Sequence, residues 1–225
     1  MHSVRVVRGS APAGLDGRPL IVCMNHPSWW DPLTALTLAR HTFPSRSHYA
    51  PIDAAALAKY PIFEHLGFFG IEPSSRRGAV QFLCTGRAIL ADPASVLWVT
   101  GEGAFTDVRK RPVRLKPGVE RLACRTNAAV VPLAIEYVFW EERAPEILAC
   151  WGEPLLNASS TEEIAAHLES TMDRLAVLSQ SRQASEFEVV LSGRAGVGGV
   201  YDLWRSLRAR IAGRRFVPQH GSEDF

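Results

Sequence analysis

The sequence predicts an α/β fold, in which a mainly parallel, mixed sheet is flanked by helices and followed by a C-terminal amphipathic helix. Short apolar runs bounded by glycine, proline or polar residues indicate buried strands, and longer amphipathic segments between them indicate helices. This alternation is typical of βαβ units, which place helices on both faces of a sheet. The chain has 225 residues, 47% of them hydrophobic, which is enough to bury one sizeable core.

The first half of the chain begins the alternation. Consecutive apolar residues predict the buried strand Leu20–Met24, and a helical segment over Leu33–Arg40 follows it. A short strand over His48–Ile52 leads into an alanine-rich helix that ends at Lys59 and has Asp53 as its N-cap. The next predicted elements are the short helix Ile62–Leu66 and the strand Gly67–Ile71.

The second half continues the same pattern. An amphipathic helix is predicted over Arg77–Ala91, and its spacing turns Val80, Leu83, Cys84 and Ala88 toward the core. The next predicted elements are the strand Ser95–Val99, the helix Gly118–Arg125, and the strands Ala128–Tyr137 and Glu146–Trp151. A capping-box spacing from Ser160 to Glu163 then starts a helix. Its apolar face carries Ile164, Leu168, Met172 and Leu175.

The C-terminal part of the chain differs in composition. We predict a main domain over residues 1–190, a glycine-rich linker over 191–199, and a basic amphipathic helix and tail over 200–225. Residues 200–216 place apolar side chains at helical spacing and arginines on the remaining faces, which is typical of a helix lying on anionic lipid. A surface helix docked on the domain is the alternative interpretation.

Composition narrows the functional classes. A net charge of +2 is too small to indicate a nucleic-acid partner. No signal peptide or membrane-spanning apolar stretch is recognisable, so we expect a cytoplasmic protein. The cysteines lie in apolar segments without a Cys-x-x-Cys pair, which predicts core thiols in a reducing compartment. They are Cys23, Cys84, Cys124 and Cys150.

The most informative stretch is Asn25–Asp31, which leaves the end of the first predicted strand. An imidazole can take a proton from a hydroxyl near neutral pH, and a carboxylate on its other nitrogen fixes the tautomer. His26 and Asp31 are therefore a candidate base and its orienting partner. The alternative is a turn histidine beside an aspartate that only caps the next helix.

A second constellation follows the strand Ser95–Val99. Gly101 and Gly103 flank Glu102, so the backbone can form a tight loop whose N–H groups face a ligand. Basic residues beyond it suit an anion, with a solvated charged loop as the alternative. They are Arg109, Lys110, Arg111, Arg114 and Lys116. Arg76 and Arg77 begin a predicted helix, where anions are also favoured.

Other chemistries lack their motifs. The sequence has no Gly-x-Ser-x-Gly elbow for a serine hydrolase and no His-Glu-x-x-His zinc pattern. His26 and Asp31 have no convincing third metal ligand, and the glycine-rich stretch 193–199 lacks the dinucleotide-binding pattern. We therefore expect neither a metal nor a cofactor.

Four motifs in order resemble the blocks of the glycerolipid acyltransferase superfamily, the PlsC-like lysophospholipid and 1-acylglycerol-3-phosphate acyltransferases. They are Asn25-His26-x4-Asp31, Gly67–Glu72 with the arginines after it, Glu102-Gly103, and Val131-Pro132-Leu133. The similarity covers about residues 19–140 and implies acyl transfer from acyl-CoA or acyl carrier protein to a lipid hydroxyl. His26 would be the base and Asp31 its partner. The expected substrate-binding residues are Asn25, Gly70, Arg76, Arg77, Glu102, Gly103, Phe105 and Arg109.

One position departs from the family pattern. The third block usually reads Glu-Gly-Thr-Arg-Ser, with the arginine on the phosphate of the acceptor, whereas Phe105 stands at that position here. Either Arg76, Arg77, Arg109 or Arg111 replaces the missing cation, or the acceptor is a glycolipid or another polar lipid without a phosphomonoester.

Two further questions stay open in the sequence. Trp29 and Trp30 either pin the loop against the sheet as core aromatics or face lipid. An acyltransferase acting on lipid is expected to bind the membrane peripherally. The alternatives are a non-catalytic lipid-binding relative and a hydrolase that releases free acid from the thioester.

Overall fold

The computed structural model describes residues 2–141 and 144–193. The predicted C-terminal helix and residues 194–199 of the predicted linker lie outside the described residues. The last described strand ends at Ser192, just inside the predicted linker. The division into domain, linker and helix stays a prediction.

The strands and helices alternate much as the sequence indicates. The strands are β1 Ser3–Val7, β2 Leu20–Met24, β3 Ser47–Asp53, β4 Phe68–Ile71, β5 Ser95–Thr100, β6 Ala129–Val138, β7 Glu146–Trp151 and β8 Phe187–Ser192. The helices are α1 Asp31–Thr42, α2 Ala54–Lys59, α3 Ile62–His65, α4 Arg76–Ile89, α5 Gly118–Ala123 and α6 Thr161–Ser181, and a short 3₁₀ helix covers Ala184–Glu186. The predicted caps are present: the carboxylate of Asp53 accepts from the N–H of Ala55, and Oγ of Ser160 accepts from the N–H of Glu163.

The strands form one mixed sheet of 8 strands in the order β4-β3-β5-β2-β6-β7-β1-β8. All neighbours from β4 to β6 are parallel, β7 is antiparallel to β6, and β8 is antiparallel to β1. The fold class predicted from the sequence is confirmed. Because β5, β2 and β6 are adjacent and parallel, the loops after them open at the same edge of the sheet.

Side chains of β2 alternate between the two faces of the sheet. Leu20, Val22 and Met24 pack in one buried cluster together with α1, while Ile21 and Cys23 pack in the other together with α4, α5 and α6. The strand is therefore covered on both faces, which explains why its sequence is apolar throughout. This central position fixes the direction in which the residues after β2 leave the sheet.

The two strands at one side of the sheet, β1 and β8, are not predicted from the sequence. Charged residues interrupt their apolar pattern: β1 contains Arg5, which forms an ion pair of 3.0 Å with the buried Glu146 of β7. The charge of Arg5 is stable inside the sheet because Glu146, which is far away in the sequence, pairs with it. Without knowledge of this partner, the charge of Arg5 argues against a buried strand, although three of the five residues of β1 are valines.

The predicted core face of α4 is correct only at Leu83, which is half-buried and packs against the core. The buried residues of this helix are Gly78, Phe82 and Gly86, whereas Val80, Cys84 and Ala88 are exposed. Two of the buried positions are glycines because the helix approaches its neighbours closely. A Cβ at Gly78 would lie 1.9 Å from the carbonyl oxygen of Glu72, and one at Gly86 would lie 2.8 Å from Leu122. Hydrophobicity alone therefore indicates the wrong face.

The prediction that all the cysteines are core residues is also corrected. Cys84 and Cys124 are exposed, and only Cys23 and Cys150 are buried. Burial raises the pKa of the Cys23 thiol to about 12 and that of Cys150 to about 11, so both stay protonated and unreactive near neutral pH.

His48 makes the stability of the fold depend on pH. Its Nε2–H donates to the carbonyl oxygen of Phe43 at 3.0 Å, and its Nδ1 accepts from Nε1–H of Trp98 at 3.1 Å. This arrangement requires a neutral ring, and burial lowers the pKa of His48 from its ordinary value of 6.5. At mildly acidic pH the unfolded chain therefore binds more protons than the folded chain.

We expect the free energy of unfolding to fall as the pH drops below about 6.5, the ordinary pKa of histidine, and to level off above it. Chemical denaturation across the range from pH 5 to 8 measures this dependence. In a His48→Gln variant this component of the pH dependence should disappear, because glutamine does not titrate. An unchanged pH profile in that variant would show that His48 is not its source.

Candidate active site

The end of β2 and the start of α1 bring His26 and Asp31 together. Nδ1 of His26 lies 2.6 Å from Oδ2 of Asp31. The carboxylate side chain is almost completely buried, at 1% exposure, while the imidazole keeps 19% of its surface exposed. Asp31 is the first residue of α1 and Trp30 is its N-cap, so the aspartate does more than cap a helix.

The geometry fixes the tautomer of the imidazole. An ionised carboxylate can only accept, so the proton between the two side chains belongs to Nδ1 of His26. Nε2 then carries the lone pair, and it is the nitrogen that can take a proton from a hydroxyl group. Asp31 also accepts from the N–H of Ser28 at 3.3 Å, which holds the loop around the pair.

Tyr137 completes the surroundings of Asp31, and no pattern in the sequence indicates it. Its O–H donates to Oδ1 of Asp31 at 2.8 Å, and Thr34 contacts the same phenol at 3.0 Å. Burial, together with the charge of Asp31, raises the pKa of Tyr137, so the phenol remains a donor. Tyr137 lies at the end of β6, and only the strand order shows that β6 is next to β2.

Asn25 has a structural position. It is buried, its side-chain amide donates to the carbonyl oxygen of Ile135 at 2.9 Å, and its side-chain oxygen accepts from the N–H of the same residue at 2.8 Å. The side chain thus continues the pairing of β2 with β6 by one residue. Asn25 therefore anchors the loop that carries His26, and the expectation that it binds substrate stays a prediction.

The loop after β5 holds the backbone of His26 from two sides. Oε2 of Glu102 accepts from the N–H of His26 at 3.2 Å, and the N–H of Thr106 donates to the carbonyl oxygen of His26 at 2.9 Å. The prediction from the topology, that the loops after β2 and β5 meet, is confirmed by these contacts. Glu102 thus positions the histidine.

The two glycines of this loop are required by close packing. A Cβ at Gly101 would lie 2.8 Å from Leu115, and Gly103 has a φ of +65° with the side chain of Lys116 directly beside it. The N–H of Gly103 donates to the carbonyl oxygen of Thr100 at 3.0 Å. That group is therefore already engaged, although the sequence suggests it as a donor to a ligand.

The comparison with protein families identifies the chain. The family model described as acyltransferase matches residues 5–136, more than half of the sequence. The protein belongs to this acyltransferase family. The matched range contains all four motif blocks, and the resemblance to PlsC-like glycerolipid acyltransferases is confirmed. It is an acyltransferase enzyme, and membership implies an acyl donor and a lipid acceptor as substrates. No curated protein matches the chain.

In this acyltransferase Phe105 covers the base. Its ring centroid lies 4.4 Å from that of the His26 imidazole, with the two planes at 37°, and the side chain is 63% exposed. An apolar ring on one face of the imidazole keeps water from part of it and offers a surface to an aliphatic chain. It supplies no positive charge.

Two of the arginines considered as replacements for the missing cation form ion pairs in this acyltransferase. The guanidinium of Arg109 donates two hydrogen bonds to Asp107, at 2.9 and 2.7 Å, and this pairing lowers the pKa of the aspartate and raises that of the arginine. Arg111 is bound to Asp173 of α6 at 2.6 Å. Both charges are compensated, so neither stands free in place of the missing arginine.

Arg76 and Arg77 are exposed at the start of α4, which follows β4. In the strand order β4 is three positions from β2, a separation of about 14 Å at the usual strand spacing. Gly70 lies in β4, and a Cβ there would meet Ala54 at 3.2 Å. The substrate-binding roles of Gly70, Arg76 and Arg77 stay predictions.

The aromatic residues between the base and its partner face outward. Trp29 is 65% exposed and Trp30 is 37% exposed, with their ring centroids 4.5 Å apart. The interpretation of this pair as core aromatics is therefore wrong. Leu33, near the start of α1, is also exposed. We group these three exposed side chains with Phe105, which contacts His26, and call the four residues the apolar rim.

The described part of the chain offers neither a metal cluster nor a membrane-spanning helix. Within residues 2–141 and 144–193, no three histidine, cysteine or acidic side chains come together as a metal site. No helix in the same ranges is both long and apolar enough to cross a bilayer. The expectation that the reaction needs neither metal nor cofactor stays a prediction.

Proposed function

We propose that the enzyme transfers a fatty acyl group from a thioester, acyl-CoA or acyl carrier protein, to a hydroxyl of a lipid acceptor, with His26 as general base. The observation that carries this proposal is the 2.6 Å contact of Nδ1 of His26 with the buried Asp31. It leaves Nε2 as the basic nitrogen at the carboxyl edge of the parallel strands, where ligands bind in open α/β sheets.

The reaction follows from this arrangement. Nε2 of His26 removes the proton of the acceptor hydroxyl while the oxygen attacks the thioester carbonyl carbon. Asp31 stabilises the imidazolium that forms. The tetrahedral intermediate then expels the thiolate, which receives the proton from His26, so that an ester and a free thiol result.

The oxyanion of the intermediate needs hydrogen-bond donors. In the loop Gly101–Thr106, the N–H groups of Gly101, Gly103 and Thr106 already donate to carbonyl oxygens of the fold. Within the described chain this leaves the N–H groups of Glu102, Ala104 and Phe105 as candidates from this loop. Phe105 is the one whose side chain touches the base.

We also propose that the apolar rim of Trp29, Trp30, Leu33 and Phe105 contacts the membrane on the cytoplasmic side. Exposed tryptophans are favoured at the interface of a bilayer, where the ring is partly buried and the indole N–H stays hydrated. Contact at this rim would bring the base to the depth of a lipid hydroxyl. The basic segment after residue 200 would add attraction to anionic lipid.

The double variant Trp29→Ser/Trp30→Ser should therefore bind anionic phospholipid vesicles at least about 10-fold more weakly than the natural chain, because two interfacial aromatic groups are lost. Cosedimentation with vesicles measures this. Val177→Ser is the control, since Val177 is equally exposed, at 67%, but lies on α6 on the opposite face of the sheet. Equal binding by both variants would contradict the role of the rim.

The proposed reaction is tested by incubating the purified protein with labelled acyl-CoA or acyl carrier protein and a panel of acceptors. The panel contains lysophospholipids, monoacylglycerol and glycolipids, and products are identified by mass spectrometry. The label should appear in an ester of one acceptor. Label released only as free fatty acid would indicate a hydrolase, and an unconsumed thioester would indicate a non-catalytic lipid-binding relative.

A further inference from the structure

The buried carboxylate of Asp31 is held on both of its oxygens. Oδ2 lies 2.6 Å from Nδ1 of His26, and Oδ1 accepts from the phenol O–H of Tyr137 at 2.8 Å. Within residues 2–141 and 144–193, the phenol forms hydrogen bonds only with Asp31 and Thr34. The carboxylate therefore links the base on one side to a neutral donor on the other.

Thr34 fixes the direction of this hydrogen bond. The phenol has one proton, and an ionised carboxylate can only accept, so that proton is donated to Asp31. The 3.0 Å contact between Oγ1 of Thr34 and the phenol oxygen is then a hydrogen bond that the threonine donates. Thr34 is buried one turn after Asp31 on α1, and its hydroxyl also lies 3.3 Å from the carbonyl oxygen of Trp30. Both partners of the phenol thus belong to the same helix.

Tyr137 comes from a firmly paired part of the sheet. It lies near the end of β6, pairs with Ile147 of β7, and is half-buried against the apolar cluster on the α1 face. It directly follows residue 136, the last residue that the family model matches. The sheet therefore sets the position of the phenol, and the residue is not part of the matched family pattern.

We propose that Tyr137 is a positioning residue for acyl transfer: its hydroxyl orients Asp31 and takes up part of the carboxylate charge, which sets the pH at which His26 is free to accept a proton. This inference rests on the proposed function, in which His26 is the general base. Tyr137 acts through Asp31, because its hydroxyl reaches Oδ1 of the carboxylate on the side away from the imidazole.

Loss of the phenol hydroxyl changes the charge that His26 meets. Oδ1 of Asp31 would be buried without a donor, which leaves more of the negative charge to act on the imidazole. A carboxylate within hydrogen-bond distance favours the protonated form of a histidine. A larger fraction of His26 would then be protonated near neutral pH, and a protonated imidazole cannot remove the proton of the acceptor hydroxyl.

The other charged groups of the elements around the pair do not form hydrogen bonds with the phenol within the described chain. In the loop after β5 they are Asp107, the basic residues of that loop, and Glu102, whose carboxylate accepts from the N–H of His26. On β6 and α1 they are Glu136, which contacts Ser179 of α6, and Arg40 and His41 in the last turn of α1. A change at Tyr137 leaves all of these charges in place.

The test compares the natural chain with Tyr137→Phe, Thr34→Val and Tyr49→Phe. The last is the matched control, because Tyr49 is also a half-buried tyrosine and packs against the apolar cluster on the other face. Steady-state rates are measured from about pH 5.5 to 9, the range in which a histidine titrates. Tyr137→Phe should lower kcat about 10-fold near pH 6.5 and less near pH 9, while KM for donor and acceptor stays within about 3-fold.

The pH of the half-maximal rate should rise by about 0.5 to 1 unit in Tyr137→Phe. Thr34→Val should give a smaller change in the same direction, because the threonine supports the phenol and does not contact the base, and it repeats the test if Tyr137→Phe does not fold. Tyr49→Phe should keep the natural profile. A loss of rate that is equal at every pH would overturn the inference, since a merely structural role predicts it.

A titration of His26 by NMR, without substrate, separates this inference from the proposed reaction. The ring signals are assigned with the His26→Ala variant, and their midpoint should rise in Tyr137→Phe by about the same 0.5 to 1 unit. If that midpoint rises while not even the natural chain transfers an acyl group, the effect of Tyr137 on the imidazole stands and the reaction fails. An unchanged or lower midpoint in both Tyr137→Phe and Thr34→Val would overturn the inference.

Discussion

The Asp31→Asn variant should lose about 10²- to 10⁴-fold in the rate of acyl transfer while it remains folded. Asp31 accepts on Oδ2 from Nδ1 of His26 and on Oδ1 from the O–H of Tyr137. An amide has one oxygen for these two donors. If that oxygen accepts from Tyr137, the NH₂ group faces His26 and favours the tautomer with the proton on Nε2, which cannot act as a base.

This prediction is measured as kcat and KM with the acceptor that gives product, together with the thermal midpoint of unfolding. Asp16→Asn is the control, because Asp16 is exposed. A loss confined to kcat in Asp31→Asn, with the control unchanged, supports the orienting role. A variant that keeps more than half of the rate would show that the carboxylate does not orient the base.

The Gly67→Ala variant should be the most damaging single-methyl addition to the second motif block. Gly67 has a φ of +87°, and a Cβ there would lie 2.1 Å from the backbone oxygen of His48. The left-handed backbone costs an L-residue roughly 1–2 kcal/mol, and relief of the clash must move β3 against β4. We expect the free energy of unfolding to fall by about 3 kcal/mol in total.

Gly17→Ala is the matched control for this prediction. Gly17 also has a positive φ, of +73°, but no atom lies within 4 Å of the position that an added Cβ would occupy. Its cost should be only the backbone strain, about 1 kcal/mol. Denaturant unfolding of the two variants separates the cost of backbone strain from the cost of the steric clash. An equal loss in the free energy of unfolding would mean that β3 and β4 move apart to accommodate the methyl group at no energetic cost.

The central strand and its reactive loop can be predicted from the sequence because their signals are local. The apolar run Leu20–Met24 needs no partner to indicate a buried strand, and its bounds are confirmed. His26 and Asp31 are five residues apart, so one turn of chain suffices to join them. The meeting of the loops after β2 and β5 follows from the direction of parallel strands.

The parts of the fold and of the site that the sequence does not predict depend on contacts between residues far apart in the chain. Tyr137 and Asp31 are 106 positions apart, and Asn25 and Ile135 are 110 apart, so neither contact leaves a local pattern. The strand β1 contains Arg5, which is acceptable there because Glu146 of β7 lies beside it. These pairings become visible only when the strand order is known.

Hydrophobicity does not by itself determine burial at two places, one of them a wrong prediction and the other a question that the sequence leaves open. The helical spacing predicts Val80 in the core, but the close approach of α4 through Gly78 and Gly86 turns that residue outward. Trp29 has the residue type of a core aromatic, but it is exposed beside the base, where an enzyme acting on lipid has a use for apolar surface. Val80 and Trp29 are both apolar, but their exposure depends on how distant parts of the chain pack. A local sequence pattern carries no information about that packing.

The role of Gly103 is predicted only in part. A glycine after Glu102 indicates a tight loop with free N–H groups, whereas the structure shows that Gly103 makes room for the side chain of Lys116. The basic residues of this loop have similar sequence contexts. Only their counter-ions in the fold distinguish Arg109 and Arg111 from Lys116.

The measurement that tests the central claim most directly is the rate of acyl transfer by a His26→Ala variant. With a saturating thioester donor and the preferred acceptor, removal of the base should lower kcat by about 10²- to 10⁴-fold, while circular dichroism and the thermal midpoint stay close to those of the natural chain. His65→Ala, which changes an exposed histidine on α3, should keep the full rate. A folded His26→Ala protein that transfers acyl groups at the natural rate would contradict the assignment of His26 as the base.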